Sequence, residues 1–448
     1  MIKIITPNKF SQEKTYIIDI LFKSFLGIDY IINNNDGITD YKIILDNGNN
    51  IIIKDHFFSK LAKGDTYLNI KNIPEDIRFS KNQFTVEADI PIIYGTDELK
   101  VSDDKIICGI DVFASAFFML TRWEEYVDKA RDIHNRFPAS ESLAFKNNFM
   151  DRPVVNEYAE MLWNMLKHLG HKQERKKRNF EIIMTHDVDN LHYWKYVNIY
   201  RSLAGDIIKR KSLKLAKSRF SKFVSYKLGK SKGPHDTFDW LMDLSESVDI
   251  KSRFYFMSGG TTDFDNEYSI NEKKCLKVIN RIKNRGHIIG FHPSYNAYND
   301  PIQWKKEKDD LETVLGFQVK EGRNHYLRFE APTTWQIWND NSMEMDCTVG
   351  YADREGFRCG TCYEFKPFNF LTRKKLNVKE YSLTIMEVTL VRYRGFAPCE
   401  MQKKIALLKG VTKRYSGKFV LLWHNSNFNT NEWAGYKSIY AKLMNKGF

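Results

Sequence analysis

The chain has 448 residues, more than one average domain needs, with 69 Lys and Arg against 56 Asp and Glu for a formal net charge of +13. It contains no uninterrupted apolar run of the about 18 residues that a membrane span requires, and its six irregularly spaced cysteines do not suggest a disulfide framework. The positive charge fits nucleic acid in sign only, since no nucleic-acid-binding motif accompanies it, and residues 1–10 show no leader of a charged region followed by an apolar core, so a cytoplasmic enzyme is expected.

Residues 1–100 alternate short β-branched runs at 41–45, 51–53 and 91–94 with Asn, Asp and Gly turns, which predicts a small sheet rich in hairpins. Residues 111–126 read as one strongly apolar helix whose Phe, Trp and Met side chains belong to a core, and residues 152–169 as a second helix. The charged run Lys172–Asn179 reads as a linker. It closes an α+β domain over 1–175 and opens a second domain over 180–448.

In that second domain, strand-like runs at 182–185, 253–257, 287–291, 326–329, 385–390 and 418–423 alternate with helical stretches such as 271–284. This is the pattern of parallel β/α units, in which active sites gather at the C-terminal strand ends. Ionisable residues fall at those ends. Asp187 and Asp189 follow Ile182-Ile183-Met184, and alternate side chains of a strand share a face, so one carboxylate can bind a metal while the other handles a proton. His292 closes the run 288–291 and is a good imidazole ligand for a divalent metal. Arg328 and Glu330, then Asp353 and Arg358, then His424 follow at or just after later apolar stretches. His186 should face away from the two aspartates, and His287 reads as a hydrogen-bonded core histidine. Cys359-Gly360-Thr361-Cys362 has the spacing of half a zinc site, yet no second pair completes it, so it reads as loop structure.

Taken in order, Thr185–Asp189, Gly286–Asn296, Arg328–Pro332, Asp346–Arg358 and Leu421–His424 resemble the motifs of the polysaccharide deacetylases, the NodB-homology group or carbohydrate esterase family four, over roughly residues 180–445. The N-terminal half resembles a domain of unknown role often found ahead of such domains in bacteria. The resemblance implies an α/β fold, an irregular and incomplete (β/α) barrel of about seven strands. It also implies a metal-dependent hydrolase that removes an acyl group, usually acetyl, from an N-acylated sugar of a bacterial surface polysaccharide or its precursor. Carried over residue by residue, it makes Asp187 the general base and Asp189 and His292 metal ligands. His424 becomes the general acid, oriented by Arg328 or Asp353, and Ser294, Tyr295, Pro332, Trp335 and Arg358 surround the substrate. Zinc is the expected ion, with cobalt, nickel or manganese as alternatives.

The chain departs from the family pattern at one ligand. The family's second histidine, four residues after the first, is Asn296 here. An amide oxygen binds zinc more weakly than imidazole, so Asn296 is expected as a weaker third ligand in a site that tolerates oxygen donors. The same substitution keeps open a catalytically weak binding or scaffold subunit, and the same site would also serve an O-acetyl ester or a linear amide.

Residues 195–235 exceed what a minimal barrel needs. The stretch Ile207–Phe220 interleaves Lys and Arg with apolar residues at helical spacing, a basic amphipathic insertion that follows the catalytic loop. Its plain reading is a solvated helix face. Its functional reading is a surface that attracts an anionic partner, either a lipid-diphosphate-linked saccharide or the anionic inner face of the membrane.

Overall fold

The computed structural model describes residues 1–62, 64–265 and 268–444, the side chains of 195 and 196 apart. The chain divides into two compact units. One comprises Met1–Ile182, Tyr326–Gly395 and Lys404–Val420; the other comprises Ile183–His325, Phe396–Lys403 and the chain from Leu421 onward. Tyr326–Gly395 and Lys404–Val420 are thus compact with the N-terminal half, although they follow the charged run Lys172–Asn179 in sequence.

In the first unit, β1 (Ile2–Pro7), β2 (Tyr30–Asn35), β3 (Tyr41–Ile44), β4 (Asn50–Ile53), β5 (Gly95–Val101) and β6 (Lys105–Ile110) form a mixed sheet in the order β2-β1-β3-β4-β6-β5. The pairs β3/β4 and β5/β6 are antiparallel, whereas β1/β2 and β4/β6 are parallel, so the sheet is less purely hairpin-built than its turn residues predict. Alternate residues such as Ile2, Ile4, Ile51 and Ile53 are buried. After α1 (Ser11–Ile18), every residue of α2 (Val112–Thr121) is buried, as an all-round apolar helix must be. Asp111 caps it, accepting the Ala114 N–H at 3.0 Å.

The expected single helix over 111–126 breaks at Arg122, which takes the left-handed conformation (φ 54°, ψ 28°) before α3 (Trp123–Val127) resumes. A local electrostatic network accompanies the break. The buried Arg122 guanidinium meets Glu125 at 2.8 Å and Glu124 at 3.0 Å. Arg358 donates to the same Glu125 through Nε at 2.9 Å and Nη2 at 2.5 Å, and to the Gly350 carbonyl through Nη1 at 2.8 Å. Arg358 was expected at the substrate, but all three of its donor nitrogens are used inside this buried cluster. Trp335 is likewise fully buried, with its indole N–H on Glu380 at 3.0 Å. Cys359 and Cys362 are buried free thiols in a loop, and burial pushes Cys359 up to about 12.

The C-terminal region is a parallel half-barrel of eight short strands, one more than expected. Five of them have their C-terminal ends in the second unit: β7 (Glu181–Val188), β8 (Arg253–Phe256), β9 (Ile288–Phe291), β10 (Glu321–Gly322) and β14 (Lys418–Leu422), in the order β10-β9-β8-β7-β14. The remaining three, β11 (Met345–Asp346), β12 (Lys379–Glu380) and β13 (Ile385–Met386), are two-residue strands of the first unit. The expected strand at 326–329 lies instead at 321–322, and Tyr326 and Leu327 have positive φ, 59° and 55°, in a turn. Gly322 is required where β10 meets β9, because a Cβ there would strike the Phe291 carbonyl.

Helices cover this sheet by amphipathic spacing. The helix Lys273–Asn284 buries Cys275, Val278, Ile279 and Ile282. The helix Pro301–Leu315 starts on Asp300, which accepts from the Ile302 N–H at 3.0 Å, and stops at Gly316 with φ 72°. His186 points away from the two aspartates, as expected: its Nδ1–H donates to the Trp423 carbonyl at 2.6 Å and its ring stacks on Phe254. Burial lowers its pKa to about 4.

The Glu125 cluster yields a stability prediction. Burial works against the Glu125 charge, but Arg358 and Arg122 outweigh it and bring the carboxyl down to about 2. A folded pKa below the unfolded value of 4.5 contributes stability above pH 4.5 that is lost as the pH falls toward 2. Glu125→Gln should therefore cost about 3 kcal/mol or more at neutral pH in urea unfolding, having left two buried guanidinium groups short of charge. The difference from the parent protein should shrink between pH 4.5 and 2.

Candidate metal centre

Adjacent parallel strands bring their C-terminal ends to one rim of the sheet. Asp187 is the penultimate residue of β7 and Asp189 lies just beyond it. His292 directly follows β9, His325 comes three residues after β10, and His424 two after β14. Four strand ends thus supply five ionisable groups. Asp189 Oδ1 lies 3.3 Å from His292 Nε2 and 3.7 Å from His325 Nδ1, and the three donor atoms of Asp189, His292 and His325 lie within 4.8 Å of one another. His424 Nε2 stands 3.5 Å from the other Asp189 oxygen, and Asp187 Oδ2 stands 3.8 Å from His292 Nε2.

Backbone carbonyls fix the two imidazoles. His292 Nδ1 is 2.5 Å from the Arg323 carbonyl and His325 Nε2 is 2.7 Å from the Phe264 carbonyl. A carbonyl oxygen only accepts, so these nitrogens carry the ring hydrogens of the neutral imidazoles. The opposite nitrogens, His292 Nε2 and His325 Nδ1, then present lone pairs to each other at 3.0 Å. Such an approach is repulsive unless positive charge accompanies it. Asp189 Oδ1 is buried and has no hydrogen-bond partner, consistent with lone pairs as its nitrogen neighbours. One carboxylate and two imidazoles, each imidazole oriented by a carbonyl behind it, form a donor set that suits zinc, cobalt, nickel or manganese.

Electrostatics point the same way. Burial alone would raise Asp189, but His325, His292 and His424 outweigh it and hold the carboxyl well below the usual range. Burial alone would lower His292, but Asp187 and Asp189 outweigh it and raise its pKa. For His325 burial prevails and the pKa falls. Asp187 has a firm partner in the fully buried Arg323, whose Nη1 donates to Asp187 Oδ1 and to Thr185 Oγ1, both at 2.8 Å.

The structure brings Asp187, Asp189, His292 and His424 together and changes their company. The third donor beside Asp189 and His292 is His325, 33 residues beyond His292. Asn296 was expected there but is exposed at the start of a single 3₁₀ turn. Arg328 and Asp353 were expected to orient the acid, but both belong to the first unit, where Arg328 donates to the His134 carbonyl at 2.9 Å and Asp353 accepts from the Ala139 N–H at 3.4 Å. The guanidinium of the centre is Arg323. Ser294 is buried, its N–H and hydroxyl both donating to Glu307, at 2.8 and 2.5 Å. The Tyr295 N–H donates to Asp265 at 2.7 Å while its ring tilts against Phe264, and Pro332 is buried before the helix Thr333–Asp340. The signal for His325 and Arg323 is faint: a glycine and three polar residues, Gly322-Arg323-Asn324-His325, after a strand of two residues.

Comparison with known proteins gives two findings. Residues 2–171 match a family of unknown function, DUF7033. A stretch of the chain is similar to solved structures, among them a protein from Mycobacterium smegmatis provisionally described as a polysaccharide deacetylase (11% identity, TM-score 0.39, 60% of this chain and 86% of that one). Others are a carbohydrate esterase family four pseudoenzyme from Bacillus anthracis (12%, 0.31, 60% and 62%) and a chitin deacetylase from the fungal pathogen Colletotrichum lindemuthianum (10%, 0.30, 60% and 84%). A search of the curated proteins finds no match.

His325→Ala should abolish stoichiometric binding of zinc or cobalt, as should His292→Ala and Asp189→Ala, while Asn296→Ala leaves affinity within about threefold. Elemental analysis of protein reloaded after chelation decides this. Unchanged metal content in His325→Ala together with loss in Asn296→Ala would return the third position to Asn296. Protons compete with metal for imidazole, and the raised pKa of His292 moves that competition upward. Affinity measured against a chelator should therefore already be falling as the pH drops toward 6.5, the ordinary histidine value.

Proposed function

We propose that this protein is a divalent-metal-dependent hydrolase that removes an acyl group, acetyl in the first instance, from an N-acylated sugar. The observation that carries this reading is the convergence of one carboxylate oxygen and two imidazole nitrogens, from Asp189, His292 and His325, within 4.8 Å of one another. Asp189, His292 and His325 would hold the ion. When bound, it supplies positive charge that polarises an acyl carbonyl and makes a nearby water more acidic.

The remaining residues fit the proton steps of amide hydrolysis. Asp187 accepts from Arg323 through Oδ1 and keeps its Oδ2 on the side of His292, where it can take a proton from the attacking water. His424, beside Asp189 and 13% exposed, can donate from its ring to the leaving amine. Separate groups for the two transfers suit a poor leaving group such as a sugar amine, which must be protonated as the C–N bond breaks. The same arrangement would also serve an O-acetyl ester. The saccharide class, and a place in bacterial surface polysaccharide metabolism, rest on the motif resemblance. The alternative of a catalytically weak scaffold subunit rests on Asn296, and His325 beside Asp189 and His292 supports the enzyme in preference to it.

With the metal-loaded protein and N-acetylated glucosamine oligomers, acetate release should fall roughly 100- to 10,000-fold in Asp187→Asn and in His424→Ala, each with metal content preserved. Near-normal turnover in both variants would eliminate this division of labour. Release of acetate from O-acetylated but not N-acetylated sugars would keep the centre and replace the substrate class.

A further inference from the structure

The long connection between β7 and β8 is where apolar side chains crowd into water. Twenty large apolar residues are exposed among the described residues, and seven of them fall between 200 and 228. Tyr200, Ile208, Leu213, Phe220 and Leu228 are exposed by 81, 72, 73, 53 and 63%. The stretch 200–230 also holds ten Lys and Arg against one acid, Asp206. Arg210 and Arg219 already pair with that acid at 2.8 and 2.6 Å.

The orientation of the helix Leu213–Lys227 is set by its inner side. Ala216 is buried, Phe223 packs edge-on against Trp194 at 5.4 Å, and Arg219 reaches Asp206 and the Tyr193 hydroxyl, the latter at 3.2 Å. At about 100° per residue, Leu213, Phe220 and the half-buried Val224 line up about a quarter turn from the side that holds those contacts, with Lys217 and Lys227 on either side of the line. An apolar line flanked by long cationic side chains suits the boundary between acyl chains and headgroups: the rings and methyls enter, and the ammonium groups rise to meet phosphate.

We propose that this insertion docks on the surface of an anionic lipid bilayer, lying in the interface without crossing it. No helix among the described residues is long and apolar enough to cross a membrane. Charge complementarity selects the occupant. A second copy of the insertion would bring the same cationic surplus and repel, and a nucleic acid would answer the charge while leaving Leu213 and Phe220 in water. A bilayer answers both. The docking does not depend on the catalytic reading, and its test uses no turnover.

The full chain is floated with vesicles of phosphatidylglycerol and phosphatidylcholine, and separately with phosphatidylcholine alone. Binding is expected to the anionic vesicles only, weakening about tenfold or more between low and high salt. The double substitutions Leu213→Ser with Phe220→Ser, and Lys214→Glu with Lys217→Glu, should each lower the partition coefficient at least about tenfold. Circular dichroism and metal content should stay unchanged. Equal binding to neutral vesicles, no binding to either kind, or variants that bind like the parent would each overturn the proposal. So would a salt-sensitive complex with duplex DNA, or a dimer lost in the serine variant, if found without vesicle binding. Should a variant misfold, the comparison of lipid charge and salt on the parent chain still decides.

Discussion

Arg323 ties the two halves of the centre together. Its carbonyl accepts from His292 Nδ1 and so turns Nε2 toward Asp189, while its guanidinium, fully buried, grips Asp187. One residue thereby orients a proposed ligand and holds a proposed base in place. It can do both because it directly follows β10, whose single parallel pairing to β9 places Gly322 against Phe291. The chemistry at the rim therefore rests on backbone register. Loss of the Arg323 side chain would leave Asp187 buried and unpaired, while a shift of the backbone would release His292.

The charge arithmetic of the rim favours a cation there. Asp187 and Asp189 bring two negative charges and Arg323 one positive charge into a buried setting. The residual negative charge is what raises His292 above its ordinary pKa in the face of desolvation. A proton on His292 and a divalent ion among Asp189, His292 and His325 are alternative answers to the same potential. The ion answers it better, since it satisfies three donors at once whereas a proton lies between two.

Asp187, Asp189, His292 and His424 were legible in the chain because each closes or follows an apolar run long enough to mark a buried strand. Arg323 and His325 were not, because β10 has two residues and its placement comes from pairing, not from apolar patterning. Spacing misleads at Asn296 for a related reason: a fixed offset after His292 suggests a ligand, but the chain there turns outward into a 3₁₀ turn, and the third donor arrives from the next strand over. The helix over 111–126 was visible in its apolarity. Its break was not, since the left-handed Arg122 belongs to a network whose other arginine, Arg358, is more than two hundred residues away. Local patterns reveal buried elements, while long-range polar pairings remain hidden until the fold assembles them.

The placement of the basic insertion follows from the same division between strands and loops. It occupies the connection that begins at Asp189, yet Asp189 takes its position from β7, whose Thr185–Val188 pair with Arg253–Phe256 of β8. A connection whose ends are already held by a parallel ladder can lengthen at small entropic cost, because closure entropy grows only with the logarithm of loop length. The 64 residues between the two strands therefore add a surface without disturbing the carboxylates. A surface placed there begins on the segment that carries Asp187 and Asp189. The ladder holds the chemistry in place, and the connection is free to choose its surroundings.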